Sequence, residues 1–321
     1  MARLATIDVG TNTTLLLVAE VDRAEPRVLD ERAEITRLGR GIGADGGLGR
    51  AGIERTLAVL TDYRTIAAKH DAAIFAIGTE ALRRAPNAEE FLGPAAAVLG
   101  TPVEVIDGER EATLTFLAAL RSFPELAAAT AVVLDIGGGS TEIIVARGGR
   151  VDFRRSLPVG SVRLTERHIA SDPADPSEIA AVVDEIARRL AAVPFPAGPL
   201  LLVGTAGTVT SLAAMSLGLR SYDPALVHGH RLTLAALDAQ IARLRPSRQA
   251  EREQMAGLDP KRADVILAGA CILRELAGAA RVSEILVNDR GIRWGLLFEK
   301  SGLAPAGPGA LAPARRPLAG P

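Results

Sequence analysis

The sequence is poor in cysteine, in aromatic residues and in net charge. Its single cysteine, Cys271, excludes a disulfide framework and lies in an apolar run where a buried thiol is expected. Aromatic residues make up 3% of the chain, too few for a surface that stacks bases or sugar rings. A formal net charge of −1 argues against nucleic-acid binding through a basic face. Any polyanion therefore has to meet a local cluster of charges.

Long apolar runs are also missing. No run reaches the ~18 residues of a membrane-spanning helix, and Asp8 interrupts the first apolar stretch. We therefore expect no membrane association and a cytoplasmic protein. The absence of a GxxxxGK[ST] motif excludes a P-loop mechanism. Residues 41–46 fit the dinucleotide-binding pattern GxGxxG, but no βαβ unit surrounds them, and we interpret them as a turn.

The length and the apolar pattern predict a two-domain α/β protein. A chain of 321 residues exceeds what one hydrophobic core usually holds. Short β-rich runs at 4–9, 15–21 and 27–38 precede alternating helical and strand patterns. The predicted domains are residues 1–125 and 126–301, with a last helix from residue 292 able to pack back on the first domain. Residues 302–321 are rich in proline, alanine and glycine, and we expect a disordered tail.

An internal repeat supports this division. Residues 5–10 align with residues 132–137 at a shift of 127, and residues 77–79 align with residues 203–205 at a shift of 126. Two loops thus recur in the same order at nearly the same separation. The repeat predicts a duplicated α/β unit whose halves present their loops to a shared cleft, where ligands usually bind.

A glycine-rich loop at residues 135–142 carries a strong chemical signal. Consecutive glycines let backbone N–H groups approach an oxyanion, and neighbouring hydroxyl groups add donors. Asp135 and Glu142 flank the loop and supply carboxylate oxygens suited to Mg²⁺. The alternative is a hairpin whose glycines only provide positive φ angles. The residues predicted to bind phosphate here are Gly137, Gly138, Gly139, Ser140 and Thr141.

Two further loops extend the predicted phosphate site. The equivalent hairpin in the first half retains Asp8 and offers Gly10, Thr11, Asn12 and Thr13. Another loop follows an apolar strand and opens a helix, which aims helix N-terminal amides at an anion. Helix capping alone explains the threonines of that loop equally well. Its predicted contacts are Gly204, Ala206, Gly207 and Thr208.

His228 and His230 are spaced like metal ligands. No cysteine or acidic residue accompanies them, and zinc sites need three or four ligands. We therefore expect this pair in a loop or at a domain interface.

Seven sequence blocks, in order and spacing, closely resemble the exopolyphosphatase and guanosine pentaphosphate phosphohydrolase family. They are IDVGTNT, GTEALRRAPN, IDGEREA, LDIGGGSTE, VGTAGTVTSLAA, LDPKRADVILAGACIL and VNDRGIRWG, and the resemblance covers residues 4–300. It implies duplicated actin-like ATPase (ribonuclease H-like) domains, as in the sugar kinase, heat-shock ATPase and actin superfamily. It also implies Mg²⁺-dependent release of terminal phosphate from polyphosphate or guanosine pentaphosphate by water, and a homodimer.

The resemblance also implies roles for individual residues. Glu111 matches the glutamate that orients and deprotonates the attacking water, although a solvated helix glutamate is the simpler alternative. Arg83 matches a phosphate-contacting arginine, whereas Arg84 is expected to be a surface charge. Asp289 lies in a block that lines the cleft, where it is equally explained as a helix N-cap. The implied metal site comprises Asp135, Glu142 and Asp8, and the implied cleft residues without assigned roles are Asp289 and Arg293.

Leu15 and Glu80 depart from the family pattern. Many members carry a polar residue in place of Leu15 and a serine or threonine in place of Glu80, so both changes weaken the expected anion binding. A carboxylate at position 80 either repels phosphate or binds a second cation. The long C-terminal extension of larger members is missing, which predicts short substrates and low processivity. An alarmone-binding regulator with little catalysis and a small-molecule kinase stay open as alternatives.

Overall fold

The computed structural model describes residues 2–22, 25–42 and 46–303. The expected tail from residue 304 onwards and residues 43–45 of the predicted turn lie outside the described residues. Within the described ranges, no helix combines the length and the apolar character needed to cross a membrane.

Within these ranges, the first half of the chain builds a five-stranded sheet in the order β3-β2-β1-β4-β5. Strand β1 runs antiparallel to β2 and parallel to β4. The elements of this half are β1 (Ala2–Val9), β2 (Thr14–Val21), β3 (Arg27–Glu34), α1 (Arg50–Lys69), β4 (Ala73–Gly78), α2 (Glu80–Arg84), α3 (Glu89–Leu99), β5 (Val103–Val105) and α4 (Gly108–Ser122).

The second half repeats this arrangement, with one added edge strand in the part that the structure describes. Its sheet has the order β10-β11-β9-β6-β7-β8, so that β8, β7, β6, β9 and β11 take the places of β3, β2, β1, β4 and β5. The elements are β6 (Thr130–Ile136), β7 (Thr141–Arg147), β8 (Arg150–Leu157), α5 (Ser161–His168), α6 (Pro176–Leu190), β9 (Leu201–Thr205), α7 (Ala206–Ser216), α8 (Pro224–Val227), β10 (Arg231–Thr233), α9 (Leu234–Leu244), α10 (Gln249–Arg252), α11 (Ile266–Ala279), β11 (Glu284–Asn288) and α12 (Ile292–Lys300). The predicted duplicated α/β fold is confirmed.

The sequence explains where these elements lie. Strands β1 and β6 are buried along most of their length because each is central in its sheet and is covered on both faces. Asp107 is the N-cap of helix α4, and its side chain accepts a hydrogen bond of 2.7 Å from the backbone N–H of Arg110. Its N-terminus is therefore fixed, and with it the position of Glu111 in the first turn.

Helix α12 joins the two halves. It follows β11 of the second sheet, yet its apolar side chains pack against the first sheet and helix α4. The buried cluster contains Leu4, Leu17, Ala19, Leu117, Trp294, Leu297 and Phe298. The end of the chain thus buries its hydrophobic face against elements of the first half.

Several elements differ from the pattern-based prediction, among them the short strand β10 and the short helix α2, which were not predicted. The third strand ends at Glu34 and not at Leu38, because Arg37 adopts a left-handed conformation with φ of 52° that extended backbone does not tolerate. Helix α3 was not predicted, since Gly93 and Pro94 interrupt its pattern. It forms nonetheless because Phe91 and Leu99 are buried in the core of the first half.

Candidate active site

A cleft of about 700 Å³ lies between the two sheets. Both predicted hairpins reach it and close in the same way, since the N–H of Gly10 donates to the carbonyl of Thr13 and that of Gly137 to the carbonyl of Ser140, each at 3.0 Å. Residues 10–13, 137–140 and 206–208 line this cleft. The loops that the repeat pairs in sequence therefore also meet in space.

Carboxyl groups gather in the same cleft. Asp8 is the next-to-last residue of β1, Asp135 is paired with Glu142 across strands β6 and β7, and Glu111 lies in the first turn of α4. The exposed fractions of Asp8, Glu111 and Glu142 are 7%, 8% and 2%. One carboxylate oxygen of Asp8, Oδ1, is buried without a hydrogen-bond partner in the described structure. These acids are thus largely removed from water, and hydrogen bonds from the protein replace only part of their lost hydration.

Burial raises the pKa of every one of these acids. The pKa of Asp8 rises to about 7 through desolvation and then repulsion from Asp135, and that of Asp135 rises to about 6 through desolvation. Desolvation raises the pKa of Glu111 to about 8 against the lowering effect of the Arg83 guanidinium. Desolvation followed by repulsion from Glu111 and Asp135 raises the pKa of Glu142 well above its usual range. A cation in the cleft would favour the ionised form of all of them.

Arg83 lies against Glu111. Its Nη1 donates to Oε2 of Glu111 at 2.9 Å and to the carbonyl oxygen of Ile106 at 2.7 Å. Because one guanidinium nitrogen holds both groups, the carboxylate is fixed in orientation. The structure places Arg83 beside Glu111 and outside the residues that line the cleft, so its predicted phosphate contact stays a prediction.

Some residues that were predicted to bind phosphate form hydrogen bonds with other protein groups or lie outside the cleft. The Ser140 hydroxyl donates to Glu142 Oε1 at 2.9 Å, and that same oxygen accepts from Ser156 at 2.6 Å. The Thr141 hydroxyl donates to the carbonyl of Val159 at 2.6 Å and holds the hairpin together. Gly204 lies inside β9. Thr141 and Gly204 do not line the cleft, whereas Ser140 does.

Arg262 is a further charged residue of the cleft that was not predicted from the sequence. This residue ends a short 3-10 helix, Pro260–Arg262, and its Nη2 donates to the Thr13 hydroxyl at 3.1 Å across the cleft. A side chain at Gly207 would overlap its guanidinium group. Among the described residues no carboxylate lies within ion-pair distance of it, and burial lowers its pKa. Arg262 is therefore a buried cation between two predicted phosphate loops, and its only sequence signal was its place in the LDPKRAD block.

Asp289 and Arg293 also line the cleft. The Asp289 carboxylate accepts a hydrogen bond from the Tyr222 hydroxyl, and Arg293 forms an ion pair with Glu31 of β3, its Nε lying 3.2 Å from Oε1. Both side chains already have partners, which the sequence analysis did not identify. They shape the wall of the cleft beside the acids.

His228 and His230, the pair with metal-like spacing, lie between α8 and β10 in the second half of the chain. Nδ1 of His228 accepts a hydrogen bond of 3.3 Å from the backbone N–H of Asp289, and its ring stacks on Phe123 at 5.1 Å between ring centroids. Burial lowers the pKa of His228 and of His230. A neutral His228 therefore supports the backbone of Asp289.

The donor chemistry of the cleft fits a hard divalent cation. Within the described part of the chain, no three His, Cys, Asp or Glu side chains form a ready-made metal cage. Mg²⁺ commonly binds through one or two carboxylates, keeps several waters and takes the rest of its ligands from substrate phosphates. The carboxylates of Asp8, Asp135 and Glu142 and the unpartnered Oδ1 of Asp8 match that requirement.

The duplicated sheets and the acid-lined cleft between them define a two-lobed α/β protein with its ligand site between the lobes. The comparisons with known proteins are more specific. Residues 17–303 match the Ppx/GppA phosphatase family. The chain belongs to this family and is an enzyme, a phosphohydrolase.

Similar proteins span nearly the whole chain. Exopolyphosphatase 2 of Mycobacterium tuberculosis is 35% identical over 320 residues, which cover 94% of this chain and 99% of the relative. The Ppx/GppA family member of Aquifex aeolicus superimposes with a TM-score of 0.79 at 33% identity, covering 93% of this chain and 97% of the other. An exopolyphosphatase from Cytophaga hutchinsonii gives a TM-score of 0.87 at 26% identity, covering 94% and 98%.

Proposed function

We propose that this enzyme hydrolyses the terminal phosphate of inorganic polyphosphate, preferably of short chains, or of guanosine pentaphosphate. The observation that carries the proposal is Glu111, a buried carboxylate with a raised pKa that lines the same cleft as the glycine loops. The relative named exopolyphosphatase 2 supports the choice of substrate.

Glu111 acts as the general base in this proposal. Burial raises the pKa of Glu111, which makes its ionised carboxylate a stronger base than an ordinary glutamate, and a cation in the cleft would favour that ionised form. The water oxygen forms a bond to the terminal phosphorus while the bridging P–O bond breaks, and the shortened chain leaves with the bridging oxygen. Glu111 takes the proton of the water, and Arg83 keeps its carboxylate in orientation.

Other residues bind and orient the phosphates. The backbone amides of residues 11–13, 138–139 and 206–208 and the Arg262 guanidinium would surround the phosphate chain, whereas the amides of Gly10 and Gly137 close their hairpins. Asp8, Asp135 and Glu142 would hold Mg²⁺, which when bound offsets the charge of the phosphates. The Asp8 carboxylate with its unpartnered oxygen supports this assignment.

A kinetic comparison of two glutamates on α4 tests the proposal. Purified enzyme with Mg²⁺ should release orthophosphate from polyphosphates of graded length or from guanosine pentaphosphate. Glu111→Gln should slow release by roughly 10²- to 10⁴-fold, the usual contribution of a general base. Glu109→Gln is the matched control, since Glu109 is exposed two residues earlier on the same helix.

Three results would contradict the proposal. A Glu111→Gln enzyme as fast as wild type would remove the assigned base. Wild-type and variant protein that are equally inert yet bind guanosine pentaphosphate tightly would indicate a regulator. Transfer of phosphate to ADP or to a sugar without net hydrolysis would indicate a kinase.

A further inference from the structure

Glu80 lies where the two glycine-rich hairpins meet. It is the first residue of α2, is only 6% exposed and lines the cleft. The Thr11 hydroxyl donates to its Oε2 at 3.4 Å. A Cβ atom on Gly139 would overlap the Glu80 carboxylate, so this group is pressed against the second hairpin. The position between the two loops is thus filled by a negative charge of the protein itself.

Two arginines neutralise this carboxylate. Nη1 of Arg84 lies 3.1 Å from Oε1, and Nη2 of Arg163, from helix α5 of the second half, contacts the same oxygen. Nε of Arg163 donates to the carbonyl of Gly139 at 2.6 Å, which holds the guanidinium beside the second hairpin. The Glu80–Arg163 ion pair therefore connects the two halves at the edge of the cleft.

The internal repeat shows that the fold does not require an acid here. At the shift of 126 that relates the two strand-to-helix loops, Glu80 corresponds to Ala206, the first residue of α7. Both residues follow a central strand and open a helix at the cleft. Ala206 opens its helix with a φ of 70°, a conformation that Glu80 does not share, so the equivalence is one of position in the fold. It shows that a helix can begin at the cleft without a carboxylate at this position.

We propose that Glu80 is an internal competitor of the phosphate chain and thereby sets the affinity of the enzyme for its substrate. A bound phosphoryl group displaces the carboxylate and takes over Arg163, Arg84 and the Thr11 hydroxyl. That the displacing anion is a phosphoryl group rests on the proposed function. A phosphoryl group carries more charge and more acceptor oxygens than a carboxylate, so two guanidinium groups favour it.

The competition with Glu80 favours binding of a phosphate chain over binding of free orthophosphate. A phosphate chain brings several charged groups to the cleft and gains enough from the other loops to displace Glu80. Free orthophosphate has only one such group, so the returning carboxylate expels it. Glu80 therefore raises KM for the chain and limits inhibition by the product.

Binding measurements on a catalytically slow background test this inference. Tripolyphosphate binding to Glu111→Gln and to Glu111→Gln/Glu80→Gln is compared by calorimetry with Mg²⁺ present. Glutamine keeps the size of the side chain and removes the charge, so the dissociation constant should fall by about 10-fold or more when the like charge is lost. In the active enzyme, Glu80→Gln should lower KM and the inhibition constant of orthophosphate, with a smaller change in kcat. Glu80→Ser serves as a second variant, and Glu89→Gln on the exposed face of α3 is the control.

The outcomes separate this inference from the proposed function. The inference is overturned if tripolyphosphate binding is unchanged or weaker in the Glu80→Gln and Glu80→Ser enzymes, provided that their melting temperatures confirm the fold. Glu80 would then serve only as a partner in an ion pair between the two halves. Tighter binding in both variants supports it, even if the wild-type enzyme hydrolyses nothing. That last result would refute the hydrolytic proposal alone, because the binding assay does not depend on turnover.

Discussion

Thr115 links the two halves of the active site at the level of single atoms. It lies one turn after Glu111 on α4, and its hydroxyl donates to Asp135 Oδ2 at 3.2 Å. This hydrogen bond lowers the pKa of Asp135 and works against the desolvation that raises it. One helix thus carries both the proposed base and the donor that favours the ionised form of a proposed metal ligand.

Thr115→Val should weaken the response to Mg²⁺. Valine has nearly the same shape but cannot donate, so the pKa of Asp135 should rise and its carboxylate should bind a cation less well. Outer-shell changes of this kind cost about 10- to 100-fold in metal affinity, and we expect a similar increase in the Mg²⁺ concentration for half-maximal phosphate release. Thr65→Val, on the exposed face of α1, is the control. An unchanged Mg²⁺ dependence would argue against Asp135 as a metal ligand.

At the scale of elements, the packing of α12 against α4 supports the catalytic helix. Phe298 is fully buried, its ring lies 5.8 Å from that of Trp294, and the Arg121 guanidinium of α4 lies 5.2 Å from its ring centroid. Because α12 follows the last strand of the second sheet, this contact also connects that sheet to the first half. The position of Glu111 therefore depends on apolar packing at the far end of the chain.

Phe298→Ala should strongly destabilise the fold. Removal of a buried phenylalanine ring costs about 3–5 kcal/mol through lost burial and the cavity that is left. Equilibrium denaturation in urea measures this loss, and Val28→Ala provides the control, since Val28 is 42% exposed on strand β3. Equal stability losses for the two variants would show that α12 contributes little to the folded state.

At the scale of the whole molecule, the buried acids make stability depend on pH. Their ordinary pKa values are 3.8 for Asp8 and 4.5 for Glu111, and the folded values are about 7 and about 8. Below the ordinary values the groups are protonated in both states. Between the ordinary and folded values the unfolded chain has released protons that the folded chain still holds, so stability falls as pH rises through this window.

Mg²⁺ should counteract this loss, and more strongly at high pH. A cation binds the ionised carboxylates, so it should raise the melting temperature more at pH 8 than at pH 5. Thermal unfolding at both pH values, with and without Mg²⁺ and at matched ionic strength, measures the difference. A Mg²⁺ effect of the same size at both pH values would contradict the proposed binding to these acids.

Much of the fold and part of the site could be predicted from local sequence. The repeated hairpins, the strand pattern and the loop at 206–208 all follow from periodicity and glycine spacing, which depend on neighbouring residues. The family resemblance identified Glu111 as a candidate base. It did not predict that this side chain is buried. Helix α3 was not predicted because Pro94 interrupts its helical sequence pattern, although tertiary packing stabilises the helix.

The duplicated α/β architecture and the loops that meet at the cleft follow from the amino-acid sequence alone. The pairs of side chains that contact each other in the cleft depend on tertiary packing. Arg262 contacts Thr13 across 249 residues, and Arg163 contacts Glu80 across 83. Such contacts depend on how two separately folded sheets pack together, which no local periodicity records. The same packing gave Thr141 and Arg83 their protein partners, Val159 and Glu111.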